Sequence, residues 1–359
     1  MAATRWRLPE MDLETGTEKK TAVTVAPIAE ARTVSLPKSV ARKRSLIEFL
    51  NRYGTSIFLI LVCAIFMSQN PRFLSLRNIA NILTDVSIYG VIAVGMTFVI
   101  ITAGVDLAVG STLAFASMVA AWLIALSGVG VGLAWLVALL VSVAIGTIVG
   151  YVHGKATTVL NVPAFITTLG GMTIWRGATM LINDGGPISG FDAKLRWWGT
   201  GSIVGIPVPV VVFALVAAIG YVVQRYTRYG RQIYAVGGNA EAARLMGLDV
   251  KAVKTSVYVI VGFLSGLAGF LLMARLNSSE PVGGIGYELR IIASVVIGGA
   301  SLEGGVGGIG GTIIGALLIG VISNGLVMMG VNAYYQQIVI GVIIVLAVAF
   351  DTYAKKHGR

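Results

Sequence analysis

Hydrophobic residues in this chain come in long blocks rather than in alternation with polar ones. Apolar stretches cover 53–69, 85–103, 107–126, 130–152, 163–182, 207–224, 253–274, 308–330 and 335–352. A helix needs about 20 apolar residues to cross a ~30 Å hydrocarbon core, and these blocks have that scale. A further stretch, 286–300, is apolar after Arg290 but short. The pattern predicts an all-α polytopic membrane protein with broken or short glycine-rich segments among its spans.

Composition agrees. Of 359 residues, 56% are hydrophobic and only 12% charged, against about 25% charged in ordinary soluble domains. So few charges could not cover a soluble surface. Disordered, collagen-like and disulfide-scaffold chains are excluded, and a soluble enzyme nearly so. The lone cysteine, Cys63, cannot form an internal disulfide and reads as a small buried hydrophobe. The net charge is +11, from 27 Lys and Arg against 16 Asp and Glu. In such a chain that excess sets topology, because cytoplasmic loops collect Lys and Arg. The expected partner is therefore the lipid bilayer, not nucleic acid.

Charge also orients the chain. Residues 1–52 hold ten Lys/Arg and six Asp/Glu without sustained apolar periodicity. Residues 1–45 read as a disordered basic cytoplasmic tail. The stretch from Ala41 to Leu50 reads as a basic amphipathic helix on the inner membrane face. No secretory signal is expected, since the first apolar run begins only near Tyr53. The loop 225–254 carries Arg225, Arg228, Arg231, Arg244, Lys251 and Lys254 against Glu241 and Asp249, which places it inside. The basic tail 353–359 belongs inside as well. Nine spans would leave that end outside, so parity asks 286–300 to cross as a broken helix. About ten spans are expected. The loop 183–206 falls outside, and its Trp197-Trp198 pair suits a membrane-interface belt.

Three stretches carry more than hydropathy. The first is Gly104-Val-Asp-Leu-Ala-Val-Gly-Ser111, which interrupts a long apolar run. Its Asp106 would cost roughly 2.5–3.5 kcal/mol at the bilayer centre. It therefore lies at the outer interface or is buried against helix N-termini or a polar cavity. Capping of the following helix and a place on a transport pathway are compatible roles. The second is the stretch 234–248, where Asn239 suits an N-cap and Glu241 the first turn. Ala242, Ala243 and Leu245 form a small apolar face, and Gly247 suits the position after the helix end. A two-turn helix capped at both ends, outside the membrane, reads as a docking element. The third is the glycine-rich stretch 298–315. Gly305, Gly307 and Gly310 fit G-x-G-x-x-G, but no acid follows before Asp351, so a dinucleotide site is rejected. Gly307, Gly311 and Gly315 instead recur every four residues, which lets helices approach closely. Glu303 precedes that helix as Asp106 precedes its own, a hint of two related halves.

No P-loop, H-E-x-x-H, C-x-x-C or G-x-S-x-G signature occurs. The chain reads as a non-enzyme with no catalytic residue, metal or cofactor of its own. His153 and His357 fall at span edges, where solvation is expected. Arg176, inside a span, either snorkels to the outer interface or lines a polar cavity.

From about Leu46 to Asp351 the chain resembles the permease subunits of bacterial ATP-binding-cassette sugar importers, in the ribose/xylose/arabinose/galactose branch and the ribose type above all. The resemblance is carried by Asn78-Ile-Ala-Asn-Ile-Leu83, Ala93-Val-Gly-Met-Thr97, Ala103–Ser111, Arg228–Asn239, Gly286-Tyr-Glu-Leu289, Val296–Gly305 and Ser323-Asn-Gly-Leu326. It departs in the charged tail and at Ala108, where the family often has Ser.

The resemblance implies a permease domain over 46–352 in the bacterial inner membrane, with 225–254 as its coupling loop and both termini cytoplasmic. Two permease chains, a homodimer or a pair of paralogues, would form the pathway. A periplasmic binding protein would deliver the sugar, and two cytoplasmic ATPase subunits would dock on Ala240–Met246. Gly238, Asn239, Glu241, Ala242, Ala243, Arg244, Leu245 and Gly247 would couple them. Asp106, Tyr287, Glu288 and Asn324 are the pathway candidates; each also admits a structural reading as a cap, a helix–helix hydrogen bond or an interface anchor. The competing class is an ion-coupled secondary transporter, which places ionisable groups at mid-membrane. Seven of the blocks contain no interior acid.

Overall fold

A computed structural model describes residues 38–127 and 132–357. The chain divides into compact units Met1–Glu48 and Phe49–Arg359. The expected tail up to residue 37 and the side chains of 353–359 lie outside the described residues.

Thirteen α-helices are described. They are α1 (Lys38–Gln69), α2 (Leu76–Ile101), α3 (Val109–Ser127), α4 (Ala134–Thr158), α5 (Ala164–Ile182), α6 (Ala193–Thr200), α7 (Val208–Tyr226), α8 (Arg228–Gly238), α9 (Ala240–Leu245), α10 (Val250–Leu276), α11 (Tyr287–Ile297), α12 (Ile309–Met328) and α13 (Ala333–His357). Two-residue strands β1 (Ile188–Ser189) and β4 (Ser278–Ser279) pair antiparallel, as do β2 (Ser202–Ile203) and β3 (Ile206–Pro207).

Six of these helices are long and apolar enough to cross a membrane: α2, α3, α4, α7, α10 and α12. The described residues thus bear out the all-α membrane class but not a count of ten. The tenth block, expected to cross as a broken helix, holds the short α11. α11 has 11 residues, about 16 Å at 1.5 Å per residue, half of a hydrocarbon core. Glycines end it at Gly298 and Gly299 before the block can continue.

α2 is the axis of the fold. Within its apolar window 89% of residues are buried, because α7, α10, α11 and α12 all pack around it. It begins at Leu76, nine residues ahead of the apolar block, with Ser75 accepting the Asn78 N–H as its cap. α10 is the second inner helix and packs most extensively on α4. Glycines permit that contact. A side chain at Gly146 or Gly150 would overlap the Gly262 or Tyr258 carbonyl of α10. The glycine repeat that runs into α12 works the same way at two of its three positions. Gly311 and Gly315 lie against the Gly298 and Ser294 carbonyls of α11, whereas Gly307 precedes α12 in an extended, left-handed conformation.

The predicted outer loop 183–206 contains α6, capped by Asp192. Trp198 stacks on Trp135 at 5.5 Å and meets Phe270 edge-on at 5.9 Å. It is therefore a packing residue, while Trp197 stays half exposed.

Candidate functional site

α8 and α9 form a helical elbow between α7 and α10. Thr227 caps α8 through the Gly230 N–H, and Asn239 ends α8 while starting α9. The Asn239 carboxamide oxygen accepts the Ala242 N–H at 2.9 Å, a cap of the kind that contributes about 1 kcal/mol. Gly247 takes a left-handed φ of +84° after the helix, and its N–H closes on the Arg244 carbonyl at 2.9 Å. The predicted capped helix is present, one residue shorter than drawn. Its apolar face is not the predicted one. Ala243 is buried against the rest of the chain, whereas Ala242, Leu245 and Met246 are exposed, the last two at 79% and 84%. Glu241 and Arg244 pair at 2.6 Å on the open side, and Gly238 is exposed beside them. The exposed Leu-Met pair thus sits at the end of a charged six-residue helix, Leu245 on its last turn and Met246 at its C-cap.

This elbow touches two breaks between helices. A side chain at Gly237 would overlap the Ile101 carbonyl at the end of α2. The same carbonyl accepts the Gly305 N–H at 2.8 Å. The α2–α3 break (102–108) and the α11–α12 break (298–308) thus meet side by side under α8. Asp106 stands in the first break, at the elbow end of the bundle rather than at an opposite, outer edge. It is 2% exposed. Its Oδ1 accepts the Ala108 N–H at 2.8 Å, one residue before α3 starts, so it caps the helix as expected. The left-handed residue that turns the chain is Ala103, not the neighbouring glycine. Gly104 is needed for closeness, since a side chain there would crowd Val99 and the Tyr258 hydroxyl. Tyr258 pins the break by donating to the Val105 carbonyl at 3.3 Å, and the Thr168 hydroxyl, which donates to the Ala164 carbonyl at 2.9 Å, lies beside it.

His153 corrects its expectation. It is buried, not solvated, because α4 presents it toward Asp106 and α5. Its Nδ1 lies 3.6 Å from Asp106 Oδ2, and its Nε2 accepts the Trp175 indole N–H at 2.9 Å. Arg176 has backbone partners. Its Nη1 donates to the Pro281 and Gly283 carbonyls at 2.6 and 3.0 Å, fastening the turn ahead of α11.

That turn leads to Tyr287 and Glu288. Glu288 Oε1 accepts the Gly286 N–H at 3.2 Å at the left-handed start of α11. Tyr287 meets Tyr89 edge-on at 6.1 Å and lies under the Arg290 guanidinium at 6.0 Å. Beside them Arg275 pairs with Asp85 at 3.1 Å, with the carboxylate side chain 42% exposed. Asp85 and Arg275 were missed because hydropathy started the second span at residue 85, and a pair joining α2 to α10 leaves no mark in sequence. Asn324 is occupied elsewhere. It exchanges hydrogen bonds with Asn78 at 2.8 and 3.1 Å and so ties α12 to α2. Tyr287 and Glu288 lie together, Asp106 is in the break, and Asn324 is a helix clamp.

Long apolar helices, two central breaks and a capped outboard helix define a multi-pass membrane permease. Residues 78–348 match the family model described as the permease component of the branched-chain amino acid transport system, and the chain belongs to that family. Its relatives include sugar importers. The ribose import permease protein of Haemophilus influenzae is 43% identical over 310 residues, covering 85% of this chain and 94% of that protein. The ribose import permease protein of Escherichia coli K12 is 44% identical over 299 residues, covering 82% and 92%. The D-allose transport system permease protein of Escherichia coli K12 is 40% identical over 309 residues, covering 86% and 94%. No solved structure matches the chain.

Proposed function

We propose that this chain is the membrane-spanning subunit of an ATP-binding-cassette importer that carries a monosaccharide or related polyol across the bacterial inner membrane. ATP is hydrolysed on separate cytoplasmic subunits, a periplasmic binding protein delivers the sugar, and a second permease chain completes the pathway. The termini and the loop 225–254 face the cytoplasm, consistent with the basic residues of that loop. The observation that carries the reading is α9, capped at both ends with Leu245 and Met246 turned outward. Sugar-import relatives aligned over more than four-fifths of the chain supply the substrate class. ATP-driven closure of the ATPase pair would move α9, and with it Gly237 against Ile101 and the two breaks. By reciprocity, delivered sugar shifts the ATPase equilibrium.

Asp85 gives the ion-coupled alternative one intramembrane acid to use, so the test must separate the two. The chain is reconstituted in proteoliposomes with and without its ATPase and binding protein and offered labelled pentoses, hexoses and polyols. Uptake only with both partners and ATP on the ATPase side supports the importer. Uptake by the chain alone under a proton or sodium gradient overturns it. Gly247→Pro or Glu241→Lys should abolish uptake while membrane insertion persists; normal transport by both removes the docking role of α9.

A further inference from the structure

His153 is 3% exposed and its Nδ1 has no hydrogen-bond partner. An indole N–H only donates, so the Trp175 contact at 2.9 Å makes Nε2 the acceptor and puts the ring hydrogen on Nδ1. That hydrogen faces Asp106 Oδ2 across 3.6 Å, beyond hydrogen-bond range. The ring is seated on both sides. A side chain at Gly171 of α5 would overlap Nε2, and Trp175 is itself packed on Phe115 at 5.2 Å. A buried donor held in place and left just short of a buried acceptor is uncommon, since native interiors satisfy such groups. The acceptor belongs to the break that touches α8 through Ile101.

We propose that His153 is a state-dependent latch. Trp175 fixes the ring, and the transport cycle closes and opens the Nδ1–H···Asp106 hydrogen bond as the α2–α3 break moves against α4 and α5. Displacement of α9 reaches the break through Gly237 and Ile101, and the latch passes it to α5. Tyr258 of α10, which holds the Val105 carbonyl at 3.3 Å, is the pivot on the other side. His153 is thus a positioning residue, and its role rests on the importer reading above.

The test measures sugar transported per ATP hydrolysed by the complete complex in proteoliposomes. The nitrogen of an Asn side chain overlies Nδ1, and that of Gln overlies Nε2. His153→Leu and His153→Gln should lower the sugar-to-ATP ratio at least ~5-fold, the lower end of measured couplings between sites. His153→Asn should restore most of it, because the donor toward Asp106 returns. Trp175→Phe should fall between them. A purely structural role would lower assembled complex and leave the ratio per complex unchanged. An unchanged ratio in His153→Leu, or His153→Asn no better than His153→Gln, overturns the latch. The Asn and Gln variants decide the matter alone where His153→Leu does not assemble. A wild-type complex that moves no sugar with ATP overturns the importer reading instead, and is told apart by the wild-type control.

Discussion

The two breaks that meet beneath α8 look alike in sequence and are built differently. Each follows one helix, carries one acid and precedes another helix. In the first, Asp106 is buried, caps α3 through Ala108 and faces His153. In the second, Glu303 is exposed, its N–H donates to Ser301 Oγ at 3.2 Å, and the turn is made by left-handed glycines at 299, 304, 305 and 307. One break is held by side-chain chemistry and the other by backbone freedom and close packing. A carboxylate placed ahead of a helix is therefore not a sign of function until its burial is known.

Substitutions can break or sharpen that contrast. The largest effect is expected where the second break depends on closeness. Gly311→Val drives a side chain into the Gly298 carbonyl and should cost about 3 kcal/mol, the upper range of overpacking. Gly310→Ala, with open space beside it, is the matched control. Thermal unfolding in detergent reads both, and equal loss at the two glycines would remove the packing argument. At the first break, Asp106→Leu leaves the Ala108 N–H without its acceptor, a loss of roughly 1–3 kcal/mol. Asp106→Asn keeps an acceptor for Ala108 and should lose less. Complete and equal loss of uptake in both, at normal expression, would shift the role of Asp106 from capping to charge. The smallest effect belongs to Glu303→Gln, expected within about 0.5 kcal/mol as an exposed change. A larger shift would show that the second break uses its acid after all.

What could be read from sequence was local. The caps of α9 depend on Asn239 and Gly247 within a few positions, and both were visible. The membrane class followed from apolar blocks and few charges. The polar start of α2 was lost because Arg77, Asn78 and Asn81 depress hydropathy there, although Ser75 caps it. α6 was lost because its eight residues are short and mixed in character. Contacts between distant helices were invisible in principle. Asp106 with His153, Asp85 with Arg275, and Arg176 with the Pro281 carbonyl are each set by which helix faces which. No local pattern encodes that choice.

The outward Leu245 and Met246 have a consequence for the cell that makes this chain. On the proposed reading, a subunit synthesised without its ATPase displays two large apolar side chains to water, the kind of surface that quality-control proteases and chaperones engage. Permease made in excess of its ATPase is then the form such proteases and chaperones would meet.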